Sequence, residues 1–283
     1  MMRVLITGEG SYIGAHIRAD LSRWPDRFDV RELSLRGEWD ESAFAGQHCV
    51  IHVAGLAHRR EAPGDAELYD RVNRGLAVEA ARQAKRQGVR QFVFFSSMSV
   101  YGLTCGHITA DTPPAPNTFY GASKWAAEQE LRALESDAFR VAVLRPPMIY
   151  GRGCRGNYPK LAALAQSVPL FPKVQNQRSM LYIGTLCGFV RRLLQSGQGG
   201  TYFPQNRDYV CTGDLVREIA RCHGRRVRLV PGFDRLTGLL APRVGVVGKV
   251  FGSLTYDRAM SEAFSAEDEP SLAETVRLTE VGT

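Results

Sequence analysis

Hydrophobic and polar positions in the first 150 residues follow two alternating rhythms. Short apolar runs at Arg3–Thr7, Val30–Leu35, Cys49–Val53, Gln91–Phe95 and Arg140–Leu144 read as buried strands. The stretches Tyr12–Leu21, Ala66–Gln87 and Ala122–Glu135 read as helices. In the second of these, Leu68, Val72, Leu76 and Ala80 fall on one face at steps of four, and Gly88 supplies the stop. This alternation of strand and helix predicts an α/β architecture, a doubly wound parallel sheet with helices on both faces. After Tyr150 the rhythm weakens, punctuated by Gly151, Gly153, Gly156, Pro159, Pro169 and Pro172. Met180–Ile183 and Thr201–Phe203 still read as strands, and Leu186–Leu194 as a helix. The expected organisation is a sheet domain over 1–150, to which 180–205 returns, and a smaller interleaved lobe over 151–283.

Composition narrows the class. Of the 283 residues, 44% are hydrophobic and 23% charged, an ordinary globular profile with enough chain for a sizeable core. The six cysteines are scattered, with no C-x-x-C and no Cys/His ligand spacing, so neither a metal site nor a disulfide framework is expected. Reduced thiols fit a cytoplasmic setting. The apolar start Val4-Leu5-Ile6 is too short for a signal-peptide core, and Leu236–Leu254 is broken by Pro242, Arg243, Lys249 and several glycines, so no membrane span is expected. The net charge of +7 suits polyanionic ligands such as diphosphates. No aromatic-interleaved basic motif points to nucleic acid.

Two segments carry candidate chemistry. The first strand runs into Thr7-Gly8-Glu9-Gly10-Ser11-Tyr12-Ile13-Gly14, a Gly-rich turn opening a helix. Glycine lets the backbone approach a pyrophosphate, and the helix start offers free N–H groups, so Gly8, Ser11, Tyr12, Ile13 and Gly14 are candidate dinucleotide contacts of a Rossmann domain. The second strand ends Glu32-Leu33-Ser34-Leu35-Arg36. Ser34 at the ribose position with Arg36 close by favours NADP through a 2′-phosphate, whereas Glu32 as the ribose contact favours NAD.

The second segment is Tyr120-Gly121-Ala122-Ser123-Lys124. A spacing of four places Tyr120 and Lys124 on one helix face, where an ammonium lowers the pKa of a phenol toward working pH. Ser97, at the end of a parallel strand, lies where open α/β sheets place ligands and supplies a hydroxyl to polarise a carbonyl.

With these motifs the chain resembles the extended short-chain dehydrogenases/reductases that act on nucleotide sugars. The matching stretches are Thr7-Gly8…Gly14, His52-Val53-Ala54-Gly55, Asn73, Ser96 to Gly102, Tyr120…Lys124 and Arg145-Pro146-Pro147-Met148-Ile149-Tyr150-Gly151. One departure is Ser11 in place of the middle glycine of Gly-x-x-Gly-x-x-Gly, with Gly10 one place earlier. The resemblance implies a catalytic set Ser97, Tyr120 and Lys124, and a cofactor lining that includes Ala54, Gly55, Asn73 and Pro146. It implies nucleotide-diphosphate contacts from Asn157, Lys160 and Arg178, and substrate contacts from Met98 and Ser99. His52 reads as a packed strand residue, and His58, His107 and His223 as exposed loop histidines.

Within that family, 4,6-dehydratases place an Asp-Glu pair after the first hydroxyl residue. Here the equivalent residues are Met98 and Ser99, which leaves elimination without its acid and base. Enzymes that epimerise at neighbouring carbons use a cysteine at the place of Met98. What remains is hydride chemistry at C4 of a UDP-sugar, as an NAD-retaining epimerase or an NADPH-dependent 4-ketoreductase. Gly252-Ser253-Leu254 resembles the branch that makes surface polysaccharide precursors. The alternatives are a non-catalytic NADP-binding regulator and a reductase of a non-sugar ketone. Homodimerisation through the helices at 66–87 and 122–135 is a further expectation from the resemblance.

Overall fold

The computed structural model describes residues 1–57, 59–232, 248, 250–264 and 269–282. His58 and most of the apolar stretch 236–249 lie outside the described residues. The chain divides into two compact units. Unit 1 comprises Met1–Gly102, Pro113–Pro146 and Leu186–Pro204; unit 2 comprises Leu103–Thr112, Pro147–Thr185 and Gln205–Thr283. Elements are numbered in chain order.

Unit 1 is a doubly wound sheet of six parallel strands: β1 (Met2–Thr7), β2 (Phe28–Leu33), β3 (Cys49–His52), β4 (Gln91–Phe95), β6 (Arg140–Leu144) and β10 (Gly200–Tyr202). Their order is β10-β6-β4-β3-β1-β2. It reverses between β1 and β3, the switch point where open α/β sheets take ligands. The register sets Thr7 beside both Leu33 and His52, His52 beside Phe94, and Phe95 beside Leu144. The strands therefore end level, and the residues that follow them share one rim.

The core follows the strand period of two. Leu5, Val50, Phe92, Phe94, Val141 and Val143 alternate onto one face. Against them pack Ala77, Ala80, Ala81 and Ala84 of α3 (Leu76–Arg86), and Ala127 and Leu131 of α4 (Phe119–Ala133). The small alanines let α3 lie close to the sheet. The remaining helices of this unit are α1 (Tyr12–Leu21), α2 (Ala66–Tyr69) and α6 (Ile183–Ser196), the last belonging to unit 1 from Leu186 onward.

Several boundaries differ from the sequence reading: β2 lies two residues earlier than the expected 30–35, and residues 103–112 and 147–150 of the expected 1–150 domain belong to unit 2. The helix expected over 66–87 is α2 and α3 joined by a π-helical segment, Asp70–Gly75. Such insertions mark functional sites more often than chance. α4 starts three residues earlier than expected because Thr118 caps it, its hydroxyl accepting the Gly121 N–H at 3.0 Å. Tyr120 thereby falls inside the helix. Finally, β9 (Met180–Tyr182) pairs in parallel with β7 (Met148–Tyr150) in unit 2, so the return to unit 1 begins at Leu186 rather than at 180.

Unit 2 is more regular than its sequence implies. Besides β7 and β9 it holds two more parallel pairs, β5 (Gly106–Ile108) with β12 (Leu254–Tyr256) and β8 (Leu170–Pro172) with β11 (Arg228–Val230). Three residues per strand are too few to show a period. Helix α7 (Thr212–Cys222) packs on α5 (Asn157–Ser167) and on α8 (Leu272–Glu280). Tyr150 anchors this unit. Its ring stacks on Tyr158 at 5.3 Å, and its hydroxyl donates to Thr275 at 2.8 Å and accepts from Asn206 at 3.0 Å. His107 and His223 are exposed as expected, but each is tied down: His107 lies in β5 against the Thr255 hydroxyl at 2.8 Å, and His223 meets Glu280 at 2.7 Å.

Candidate active site

The rim of unit 1 begins at the Gly-rich turn. Gly8 has a φ of +110°, and a Cβ there would lie 2.7 Å from the Ala54 nitrogen, so only glycine fits. Its N–H donates to the Leu33 carbonyl at 2.9 Å, which seats the turn between β2 and β3. Ser11 explains the departure from the expected glycine spacing. It is the N-cap of α1, its hydroxyl accepting the Gly14 N–H at 3.2 Å. Gly14 packs on Ile6 and Val53, where a Cβ would meet each at 3.2 Å. Tyr12 and Ile13 form the first turn of α1, whose leading N–H groups have no intrahelical acceptor. This is a cradle fit for a pyrophosphate.

At the end of β2, the Ser34 hydroxyl accepts the Arg36 N–H at 3.3 Å, and Arg36 is exposed. Glu32 is taken by Arg18 of α1 at 2.6 Å. It points back to the helix, which leaves Ser34 as the residue at the rim.

Tyr120, Lys124 and Ser97 meet on the same rim. Ser97 follows β4 and caps the short turn Met98–Tyr101. Its hydroxyl accepts the Ser99 N–H and donates to the Ser99 hydroxyl, both at 3.1 Å. It also hydrogen-bonds the Tyr120 hydroxyl. The Met98 N–H donates to the Pro146 carbonyl at 3.0 Å, which closes the loops after β4 and β6 onto each other. Gly121 lets α4 press on this turn, since a Cβ there would sit 2.5 Å from the Ser99 carbonyl.

Lys124 is buried, 4% exposed, with its amine 4.7 Å over the Phe94 ring. A Cβ placed on Gly55 would lie 3.3 Å from that amine and 2.9 Å from Asn73 Oδ1. Gly8, Ala54, Gly55 and Lys124 thus form a continuous path from the Gly-rich turn to the Tyr120 helix. Asn73 is fully buried in the π-helical segment. It accepts the Leu56 N–H at 2.7 Å and donates to the Leu56 carbonyl at 3.2 Å and the Ser123 hydroxyl at 3.1 Å. Its amide ties the Gly55 loop to α4.

Electrostatics differ from the expected acidified phenol. Burial pushes the Tyr120 pKa up, and the Ser97 hydrogen bond offsets only part of that. Burial pulls Lys124 down to about 8, against the Glu128 carboxylate. With the amine set over Phe94 and beside Gly55, the ammonium does not dominate the phenol. His52 is packed between the rings of Phe92 and Phe94, with Nδ1 2.8 Å from the Thr7 hydroxyl. Burial, reinforced by the Lys124 charge, pulls it to about 3 and keeps it neutral.

Three residues of this rim escaped the sequence reading. Glu61 accepts the N–H groups of Phe119 and Tyr120, each at 2.9 Å, and so clamps the start of α4. Ser123 donates to the Tyr120 carbonyl at 2.9 Å and joins Asn73 to the helix. Glu128 lies one turn beyond Lys124, a spacing visible in the sequence. The Glu61 contact spans nearly sixty residues and leaves no local signal.

In unit 2, Asn157 and Lys160 share the exposed first turn of α5. Arg178 is half-buried, and one guanidinium nitrogen donates to the Gly248 and Gly252 carbonyls at 3.3 and 2.7 Å. Among the described residues no group of three or more His, Cys, Asp or Glu is placed to hold a metal ion, and no helix is long and apolar enough to cross a membrane. All six cysteines are free.

Several known proteins are similar to this chain. The UDP-glucose 4-epimerase of Vibrio cholerae is 28% identical over 90% of this chain and 87% of its own. The N-acetyl-alpha-D-glucosaminyl-diphospho-ditrans,octacis-undecaprenol 4-epimerase of Escherichia coli O157:H7 is 30% identical over 66% of this chain and 58% of its own. A dTDP-glucose 4,6-dehydratase of Streptomyces niveus is 28% identical over 58% and 51%. Among solved structures, the dTDP-4-dehydrorhamnose reductase of Bacillus anthracis, in complex with NADP, superposes over the whole of both chains with a TM-score of 0.76 at 20% identity. The model of the NAD dependent epimerase/dehydratase family matches residues 4–222, and the chain belongs to that family.

Proposed function

We propose that this protein is an NAD(P)-dependent oxidoreductase acting at C4 of a UDP-sugar, as a 4-epimerase or a 4-ketoreductase, in the supply of surface polysaccharide precursors. The observation that carries this reading is the joining of three parts on one rim. The Ser97 hydroxyl is bonded to the Tyr120 hydroxyl, the Lys124 amine stands beside Gly55, and Gly55 adjoins the Gly-rich turn. A nicotinamide bound there would supply or accept the hydride.

The chain's own residues do the rest. The turn from Gly8 to Gly14 and the start of α1 hold the pyrophosphate. Ala54, Gly55 and Pro146 line the path to the reacting end, while Asn73 fixes the Gly55 loop from behind. Ser97 donates to the sugar oxygen and polarises it. Tyr120 exchanges the proton of that oxygen: as the phenol it gives its proton when the carbonyl is reduced, and as the phenolate so formed it takes a proton back when the carbonyl forms again. Lys124, as the ammonium, would hold the ribose. Met98 and Ser99 face the substrate after Ser97. Neither is a carboxylic acid, so an elimination of water would lack its acid and base, and the reading excludes the 4,6-dehydratase reaction. Asn157, Lys160 and Arg178 are assigned to the nucleotide diphosphate, for which a guanidinium fork is well shaped.

Ser34 and Arg36 favour NADP(H) over NAD(H), and the pairing of one Glu32 oxygen with Arg18 supports this by drawing that carboxylate toward α1. The test is titration with all four dinucleotides, followed by turnover assays on UDP-sugars and their 4-keto forms. Interconversion of UDP-sugar C4 epimers without added cofactor is the epimerase outcome. Consumption of NADPH by keto sugars alone is the ketoreductase outcome, and turnover of neither sinks the proposal.

A further inference from the structure

Glu128 lies on the same face of α4 as Tyr120 and Lys124, and it is completely enclosed. Its carboxylate accepts Arg145 Nη2 at 2.6 Å and Nε at 3.1 and 3.2 Å, and it accepts the Ser96 hydroxyl. Arg145 Nη1 donates to the Tyr101 hydroxyl at 2.7 Å. The guanidinium also lies 5.2, 5.3 and 5.8 Å from the rings of Tyr101, Trp125 and Phe203. The pair is 6% and 0% exposed.

A pair this deeply buried is a poor device for stability. Taking both charges out of water costs most of what their attraction returns, and well-packed apolar residues often serve as well. The pair's connections give it another purpose. Ser96 precedes Ser97, Tyr101 closes the turn that Ser97 caps, and Arg145 follows β6. Glu128 belongs to the helix of Tyr120 and Lys124. One carboxylate therefore fastens together the three elements that bring the reacting hydroxyls into contact.

We propose that Glu128 is a positioning residue that, through Ser96 and Arg145, fixes the Ser97 hydroxyl against the Tyr120 hydroxyl and supplies the counter-charge for the Lys124 amine one turn away. The groups facing that amine are the Phe94 ring, Gly55, Asn73, the neutral His52 of β3, and Tyr120 and Glu128 on its own helix. Burial keeps Tyr120 a phenol, so Glu128 is the anion of this set. Arg145 stands on the far side of Glu128 and adds a second positive charge once the carboxylate is removed.

The role in turnover rests on the function proposed above; the effect on Lys124 does not. The test is Glu128→Gln, which keeps the shape and removes the charge. Lys124 is titrated in the cofactor-free protein by competitive acetylation across pH, read by peptide mass spectrometry. The half-reaction pH of Lys124 is expected to fall by about one unit or more, because the carboxylate that favours the ammonium is gone. With an accepted sugar nucleotide, kcat is expected to fall about tenfold or more while KM stays within about threefold. Glu128→Asp keeps the charge, and should restore the Lys124 titration while recovering only part of kcat. A folded Glu128→Gln protein with wild-type Lys124 titration and kcat overturns the proposal. If circular dichroism shows that this variant does not fold, Ser96→Ala replaces it. Removing that one hydroxyl should lower kcat about threefold at unchanged cofactor affinity, and wild-type kcat overturns the positioning role. If the wild-type chain turns over no sugar nucleotide, the proposed function fails while the Lys124 titration still decides the counter-charge.

Discussion

Both units bury amides and hydroxyls, but among the described residues unit 1 alone also encloses full charges. Unit 1 encloses three full charges, Lys124, Glu128 and Arg145, at 4%, 0% and 5% exposure. The buried polar side chains of unit 2 are amides and hydroxyls: Asn176, Ser179, Gln205, Thr212, Thr255, Thr275 and Thr279. Asn176 shows how these work. It donates to the Thr212 hydroxyl at 2.8 Å and accepts the Thr212 N–H at 2.9 Å, fastening the start of α7. A paired amide costs little to bury, whereas a buried charge costs several kcal/mol before its partners compensate. Unit 1 therefore gives up stability to hold charged groups ready at one rim. Unit 2 keeps two of its three candidate ligand contacts, Asn157 and Lys160, exposed, and the third, Arg178, half-buried.

This contrast can be broken most decisively at Tyr120. Tyr120→Phe should lower turnover by about a hundredfold or more and leave dinucleotide affinity unchanged, measured by steady-state kinetics beside a fluorescence titration. Undiminished turnover removes Tyr120 from the chemistry. Lys124→Met tests the cost of buried charge. The folded pKa near 8 lies below the ordinary 10.5, so the folded state disfavours the ammonium. The Lys124 contribution to stability should rise as pH goes from about 8 to about 10.5, by up to about 3 kcal/mol at 1.36 kcal/mol per unit, while the buried Cys49 and Cys187 thiols, pushed up to about 12, act in the opposite direction above about pH 9. Lys124→Met should abolish that rise and be the more stable protein at pH 7, though inactive, as read from urea unfolding across pH. Wild-type and Lys124→Met profiles that run parallel from about pH 8 to about 10.5 contradict the depressed pKa.

Asn176→Ala is the matching change in unit 2. It leaves the buried Thr212 N–H without its acceptor and should cost about 1–3 kcal/mol, with activity per folded molecule unchanged. Ser34→Asp places a carboxylate at the rim of β2 and should move the NADPH-to-NADH preference about tenfold toward NADH, by repelling a 2′-phosphate and accepting ribose hydroxyls. Lys160→Ala should raise KM for a nucleotide sugar about three- to fivefold at constant kcat, the loss of one exposed charge contact. An effect on kcat instead would move Lys160 out of simple substrate binding.

Much of unit 1 was legible because its signals are local. The strands at 91–95 and 140–144 and the helix at 12–21 occur within the expected limits, since apolar runs bounded by glycine and polar turns specify buried strands directly. The spacing of Tyr120 and Lys124 and the Gly-rich turn were equally readable. The short strand pairs of unit 2 were harder, because three residues carry no period and their partners lie far along the chain. β12, for example, pairs with β5. The π-helical segment around Asn73 was invisible for a related reason: its apolar face keeps a helical spacing, and only the contacts of Asn73 with Leu56 and Ser123 distinguish it.

The chain's own pattern therefore determined the layered sheet, the Gly-rich turn and the spacing of the candidate residues Tyr120 and Lys124, because all of these depend on neighbours a few positions apart. Tertiary structure alone decided the state of those residues. How readily Lys124 gives up its proton, whether Tyr120 stays a phenol, and which carboxylate faces Ser96 depend on dehydration and on partners drawn from separate strands. Burial and through-space charge act across distances that sequence spacing does not encode.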